Sequence, residues 1–196
     1  MFIYLASRSP RRRQLLEQLG IEHRLLLPDD DEDSEGLEAV EPGESPATYV
    51  QRVTRLKLDA ALDRLKRRKL PRAPILCSDT TVARGRAIYG KPADEKDAAR
   101  MLGELSGATH RVLTAVAIQR PGGARREALS ISRVTFAALT PAKIRAYVAS
   151  GEPMGKAGAY AVQGRAAAFI ARIDGSFTGI MGLPLFETAA LLADVR

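Results

Sequence analysis

The sequence predicts an α/β fold in which helices flank a mixed, mostly parallel, twisted sheet that carries an inserted antiparallel hairpin. Short apolar segments at residues 2–5 and 74–78 each precede a polar turn, which is typical of strands in parallel units. Segments 110–118 and 128–136 alternate in polarity around a Pro-Gly-Gly turn, which predicts the hairpin. The 196 residues show no linker, so one domain, 1–196, is expected.

The first unit is a strand, a polar turn and a helix. Ser9 is a typical N-cap residue and Pro10 fits the first helical turn, so a helix is expected from there to just before Gly20. Free N–H groups at such a helix start favour anions. The arginines at 11–13 lie where the helix dipole disfavours cations, and guanidinium groups suit phosphate. The turn therefore predicts a phosphate site; the alternative is that the arginines are solvated and add solubility.

An acidic run follows the second predicted strand, at residues 21–27. Carboxylates at 29–33 are typical of a solvated loop, although one or two of them could bind a divalent cation together with substrate phosphates. Residues 34–44 lack periodicity and are predicted to form a mobile loop.

A second helix is expected to begin at Ser45 and Pro46, with Lys57 at the edge of its apolar stripe. Its basic end, at 64–69, complements the helix dipole. No aromatic residues are interleaved there, which disfavours a nucleic-acid surface.

Asp79 directly follows the predicted strand 74–78. If this strand is parallel to the first, Asp79 lies on the same rim as the arginine turn and could bind metal or act as a base. A turn or capping role is the alternative. Residues 85–91 have P-loop spacing, but Pro92 replaces the metal-binding hydroxyl residue, which leaves Lys91 as a single cation for phosphate.

The remaining elements are two helices, the hairpin, a long loop, a strand and a final helix. Helices are expected to begin at Asp94 and Thr140, and the last one after Pro184. The Gly-rich loop 152–164 is long for a connector and is predicted to carry function, and 168–173 is predicted as a strand. His110 is expected to be structural, because no second nearby His or Cys could complete a zinc site.

Composition limits the class of protein. The net charge of +7 favours polyanionic partners such as nucleotides, nucleic acid or acidic lipid. A single cysteine excludes an internal disulfide and fits a reducing compartment. No run approaches about 20 apolar residues and no signal-peptide pattern is present, so a cytoplasmic protein without a membrane partner is expected.

Six motifs occur in an order that resembles the Maf family of nucleoside triphosphate pyrophosphatases, and the resemblance spans about residues 3 to 192. They are SRSPRR at 7–12, SDT at 78–80, GKP at 90–92, LSG at 105–107, KAGAYAVQG at 156–164 and GLPL at 182–185. The resemblance implies a Maf/ITPase-like fold, often dimeric, that uses a divalent cation, Mg²⁺ or Mn²⁺, to convert a nucleoside triphosphate to the monophosphate and pyrophosphate.

The resemblance also assigns residue roles. Asp79 matches the proton acceptor that activates water, and Glu32, with Asp79, matches the acidic residues that hold metal. Base selection would fall to Arg11, Thr80 and Gln163, which resemble the dTTP/UTP branch; the 7-methyl-GTP branch has Trp, Gln and Glu there. The positions that match phosphate-site residues are Ser7, Arg12, Lys57 and Lys91.

Two residues depart from the family pattern, Gly155 in place of Asp and Leu56 in place of Glu or Ala. A missing Asp could lower activity or leave the metal to Glu32 and Asp79 alone. The expected partners are a pyrimidine nucleotide and a second copy of the chain, without a stable nucleic-acid complex. The alternatives are a non-catalytic nucleic-acid or cell-division partner protein, and a pyrophosphatase acting on a modified purine such as 7-methyl-GTP.

Overall fold

A computed structural model describes residues 2–29, 32 and 36–193. The strands in these residues are β1 (Ile3–Leu5), β2 (His23–Leu25), β3 (Ile75–Arg84), β4 (Ala87–Tyr89), β5 (Thr109–Gln119), β6 (Arg125–Phe136) and β7 (Ile170–Asp174). They form one sheet in the order β2-β1-β3-β5-β6-β7, with β4 paired to β3.

The sheet is mostly antiparallel, so the prediction of a mostly parallel sheet was wrong. Among the described strands, the pairs β1–β2 and β1–β3 are parallel, whereas β3–β4, β3–β5, β5–β6 and β6–β7 are antiparallel. The predicted hairpin β5–β6 is confirmed, but it is the centre of the sheet rather than an insertion, because β3 pairs with β5 along residues 75–83. The polarity pattern identified the strands but did not indicate which strand β3 pairs with or in which direction.

Strand β3 continues well beyond the predicted residues 74–78. Thr80, Thr81 and Val82 are good strand formers and extend it to Arg84, so Asp79 lies within the strand rather than after it. One edge of β3 pairs with β5 from Ile75 to Ala83. The other edge pairs with β1 at Ile75–Leu76 and with β4 at Val82–Arg84. Among the described residues, no strand covers residues 77–81 on that second edge, and this gap in the sheet admits the cavity described below.

In the described ranges, six α-helices flank the sheet. They are α1 (Pro10–Gln18), α2 (Pro46–Arg67), α3 (Glu95–Leu105), α4 (Pro141–Val148), α5 (Phe177–Met181) and α6 (Leu185–Leu192). The predicted caps Ser45, Asp94 and Thr140 each accept a hydrogen bond from the backbone N–H three residues later. Ser9 has the N-cap position of α1 without a side-chain cap bond. In the described part of the chain, no helix combines the length and apolar character that a membrane crossing requires.

The helices pack on both faces of the sheet. Helix α2 covers one face, where Leu58 and Ala61 contact a cluster that includes Ile75 and Cys77. On the opposite face, α1 and α6 pack on Leu76 and Val116, and α3 and α4 cover Val82 and Val112. Successive β3 residues therefore point to different layers, with Asp79 toward α2 and Thr80 toward α1.

His110 lies in the layer on the side of α3 and α4 and is 2% exposed. Its Nε2 is 2.9 Å from the Tyr160 hydroxyl, its ring packs edge-on against Phe136, and its Nδ1 has no hydrogen-bond partner among the described residues. Burial lowers the pKa of His110 to about 4. The ring is therefore a neutral core residue at physiological pH.

We expect this histidine to make the fold acid-sensitive between about pH 6.5 and 4. In that window His110 is protonated in the unfolded chain but stays neutral in the folded protein. The free energy of unfolding therefore decreases as pH falls, by up to about 3 kcal/mol. Urea unfolding at pH 7, 5.5 and 4.5 measures the effect, with His110→Gln as the comparison. The variant should lose less stability on acidification than the wild type; parallel pH profiles would contradict the assignment.

Candidate active site

The turn between β1 and α1 is tied to β3 and to the end of α5 by Arg12. Arg12 Nε donates to the Gly182 carbonyl at 2.8 Å, and its two Nη atoms lie 3.1 Å from Ser7 Oγ and 3.3 Å from Thr80 Oγ1. Burial lowers the pKa of Arg12, while the negative charge of Asp79 acts in the opposite sense. A guanidinium held by neutral oxygens retains its positive charge for a ligand.

A chain of alternating acidic and basic groups continues from β3 to the surface. Lys57 Nζ lies 2.6 Å from Asp79 Oδ1 and 2.7 Å from Glu38 Oε1, and Lys91 Nζ lies 3.0 Å from Glu38 Oε2. Burial alone would lower the pKa of Lys57, but Asp79 and Glu38 outweigh it and raise the pKa. Burial opposes ionisation of Glu38 too, yet Lys57 and Lys91 hold its pKa below the usual value. Lys57 and Glu38 are therefore both charged at neutral pH.

Glu38 ends a 3-10 helix, Gly36–Glu38, within the segment predicted to be a mobile loop. Its carbonyl accepts a hydrogen bond from the Tyr49 hydroxyl at 2.9 Å, which fixes the turn against α2. Burial, with the nearby charge of Asp79, raises the pKa of Tyr49 to about 12, so the phenol stays a donor. Sequence reasoning did not single out Glu38, because no periodicity marks residues 34–44.

These groups line one cavity of about 780 Å³, a volume ordinary for a small-molecule site. The cavity lies at the gap beside residues 77–81 of β3, and every predicted site residue lines it. Its lining includes Val82, Val112, Tyr160 and Ile180, buried members of one hydrophobic cluster whose side chains suit a flat ring. The predicted site residues in its lining are Ser7, Arg11, Arg12, Glu32, Lys57, Asp79, Thr80, Lys91 and Gln163.

The predicted base-selecting residues differ in their surroundings. Arg11 Nε lies 3.4 Å from the Met181 carbonyl, and Gln163 is exposed at the cavity wall. Thr80 Oγ1 is engaged within the protein, since it contacts Arg12 and lies 3.0 Å from Thr114 Oγ1. Lys156, from the same loop as Gln163, also lines the cavity, although sequence reasoning gave it no separate role.

Glu32 is held by arginines of α2. Both of its carboxylate oxygens accept hydrogen bonds from Arg64, and Arg67 Nη2 lies 2.5 Å from Oε1. The bonds with Arg64, more than its other contacts, lower the pKa of Glu32 to about 2. The basic end of α2 thus anchors the segment after β2. Of the other members of the acidic run, Asp29 pairs with Arg67 and Arg68, whereas Asp30, Asp31 and Asp33 lie outside the described residues.

The carboxylates best arranged for a divalent cation are Asp79 and Glu38. Both reach the same ammonium, Lys57 Nζ, so their oxygens converge on one cationic position. Mg²⁺ is commonly held by one or two carboxylates plus substrate phosphates, and this donor set fits that pattern. Within the described ranges there is no group of three or more His, Cys, Asp or Glu side chains that could hold a metal.

Gly155 has a φ of 71°, and a Cβ added there would meet nothing within 4 Å.

Comparison with known proteins gives full-length matches. Residues 2–195 match a family model described as "Maf-like protein". A dTTP/UTP pyrophosphatase of Albidiferax ferrireducens is 69% identical over 193 residues, covering 97% of this chain and 95% of that protein. The dTTP/UTP pyrophosphatase of Cupriavidus pinatubonensis is 64% identical over 195 residues, covering 100% and 97%.

Solved structures give a more distant likeness. A HAM1 protein from Coxiella burnetii is 15% identical with a TM-score of 0.46, over 71% of this chain and 75% of that one. A nucleoside-triphosphatase, dITP/XTP pyrophosphatase, from Mycobacterium abscessus is 18% identical with a TM-score of 0.42, over 71% and 76%.

Proposed function

The chain belongs to the Maf family, and from this premise we propose that it is a dTTP/UTP pyrophosphatase that releases the monophosphate and pyrophosphate. The observation that carries the proposal is its identity of 59–70% to dTTP/UTP pyrophosphatases over nearly the full length of both chains. The cavity supports it, because cationic groups suited to a triphosphate lie beside a carboxylate suited to activating water. Such a hydrolase would remove non-canonical or excess pyrimidine nucleotides.

The triphosphate would be held by Ser7, Arg12, Lys57 and Lys91. Arg12 is pre-positioned by three oxygen contacts, which reduces the ordering that substrate must impose. Without substrate, Glu38 is ion-paired with both lysines. A bound phosphate would replace Glu38 as the anionic partner of these lysines. Charge neutralisation and positioning are the main contributions a protein makes to phosphoryl transfer.

Asp79 is the proposed proton acceptor. Water attacks the α-phosphorus, Asp79 Oδ takes its proton, and the bond to the β-phosphate oxygen breaks to release pyrophosphate. Lys57, 2.6 Å away, orients the carboxylate. The position of Asp79 within β3 keeps it rigid, since Ala115 on β5 pairs with it.

A divalent cation, Mg²⁺ or Mn²⁺, is the proposed cofactor; when bound it polarises phosphate oxygens and stabilises the charge that develops on them. Asp79 and Glu38 would hold it together with substrate phosphates. Glu32, the other predicted ligand, is more fully engaged by Arg64 and Arg67, and a role in holding the adjoining segment fits it better.

Base selection is proposed for Arg11, Thr80 and Gln163, with Gln163 offering both a donor and an acceptor to a pyrimidine edge. We further propose a cytoplasmic homodimer. Light scattering on the purified chain would measure its mass directly, and a mass of one chain at micromolar concentration would contradict the dimer.

The function is tested with a panel of triphosphates in Mg²⁺ or Mn²⁺, with products separated by ion exchange. We expect monophosphate and pyrophosphate, fastest from dTTP or UTP, and loss of turnover when EDTA removes the cation. Release of orthophosphate would refute cleavage at the α-phosphorus. Preference for 7-methyl-GTP would keep the chemistry and refute the base-selecting roles of Arg11, Thr80 and Gln163.

A further inference from the structure

Lys156 is a half-buried cation with spare hydrogen-bonding capacity in the cavity wall. Its Nζ has one hydrogen bond in the described part of the chain, to the Met154 carbonyl at 3.3 Å. Burial lowers the pKa of Lys156 and the negative charge of Glu152 opposes this, but the Glu152 carboxylate accepts hydrogen bonds from the Tyr147 hydroxyl at 2.9 Å and the Arg165 N–H at 3.1 Å. An ammonium has three donors, so two of them remain for a ligand.

Arg11 adds a second positive charge beside Lys156. Burial and then the charge of Arg11 lower the pKa of Lys156. Among the described residues, neither cation has a carboxylate within ion-pair distance, whereas Lys57 and Lys91 share Glu38. The cations that line the cavity therefore differ in their partners: Lys57 and Lys91 are paired with carboxylates, whereas in the described residues Arg11 and Lys156 are not.

The walls near Lys156 are apolar. Ala157 and Gly158 follow it directly, and Ala157 packs in one cluster with Val82, Tyr160 and Met181. A highly charged triphosphate would lose hydration against such walls, whereas a pyrimidine ring would bury its faces there and present carbonyl oxygens at its edge.

We propose that Lys156 is a specificity-determining residue that donates a hydrogen bond to the oxygen at ring position 4 of uracil or thymine and so disfavours cytosine. This inference rests on the proposed function. Uracil and thymine carry an oxygen acceptor at ring position 4, where cytosine carries an amino donor. A Gln163 amide can rotate to match either base, but an ammonium only donates. Lys156 therefore favours uracil and thymine over cytosine, whereas Gln163 alone could accommodate either base.

The test compares kcat/KM for UTP and CTP in the wild type, Lys156→Met and Lys156→Gln. Met keeps the length without a donor, and Gln restores a group that can serve either base. We expect Lys156→Met to lower UTP hydrolysis and Lys156→Gln to raise CTP hydrolysis, so that the UTP-to-CTP ratio drops at least about tenfold in both variants. Lys156→Arg, which still only donates, is the matched control and should keep the preference for UTP.

The outcomes separate the possible failures. A wild type that hydrolyses neither UTP nor dTTP refutes the proposed function. Equal losses for UTP and CTP in the variants, with the ratio unchanged, assign Lys156 to phosphate binding and overturn the inference. Calorimetry measures the affinities for UMP and CMP and so tests the same preference without turnover. Thermal melting confirms that the variants are folded.

Discussion

Replacing Asp79 with Asn should lower kcat for dTTP by at least about 10²-fold, within the usual range for a lost general base. The amide cannot take the proton from the attacking water, yet its oxygen can still accept the hydrogen bond from Lys57 that holds Asp79 at 2.6 Å. KM should change less than kcat, because the cationic groups that face the phosphates remain. Steady-state pyrophosphate release measures both constants.

Asp63→Asn is the matched control for this prediction. Asp63 lines the same cavity, but its carboxylate is 72% exposed and contacts Lys66 at 3.2 Å. Removing its charge should leave kcat nearly unchanged, since exposed ion pairs contribute little. If Asp79→Asn kept turnover within threefold of the wild type while remaining folded, Asp79 would have no part in proton transfer.

Gly158→Ala should destabilise the fold strongly. A Cβ at Gly158 would lie 2.8–2.9 Å from the side chain of Val82, which is 3% exposed and cannot move aside. The residue also has φ of 67°, a left-handed conformation. We expect a loss of about 2–5 kcal/mol from backbone strain and overpacking together. Thermal melting should fall by roughly 5–20 °C.

Gly155→Ala separates the two causes. Gly155 has a similar φ of 71° in the same loop, but a Cβ there meets nothing within 4 Å. This variant should carry the backbone strain alone, about 1–2 kcal/mol. Equal melting temperatures for the two variants would show that contact with Val82 costs nothing, contrary to the structure.

Local signals in the sequence predicted much of the fold. Ser45, Asp94 and Thr140 are confirmed as helix caps, because a short polar side chain before a helical pattern satisfies the first free N–H groups regardless of tertiary context. The β5–β6 hairpin is confirmed as well, since a Pro-Gly-Gly turn between alternating segments is itself a local feature.

Features set by distant contacts escaped prediction. The pairing of β3 with β5 joins residues that are 28 to 44 positions apart, and no pattern within either strand indicates its direction. Glu38 escaped for the same reason, because its role depends on Lys57 and Lys91, which lie far along the chain. The cavity gathers all the predicted site residues, but their chemical roles follow from the family and from the proposed mechanism.

The divided edge of β3 also bears on aggregation. Uncovered strand edges are templates on which other chains can add strands. The gap at residues 77–81 is recessed between β1 and β4 and opens into the cavity, so it offers no free run to another chain. The outermost strands, β2 and β7, are three and five residues long and carry Arg24 and Arg172. The open edge of β3 is therefore not itself a template for association, whereas β6 extends past β7 over residues 125–132 and has no strand partner on its outer edge there among the described residues.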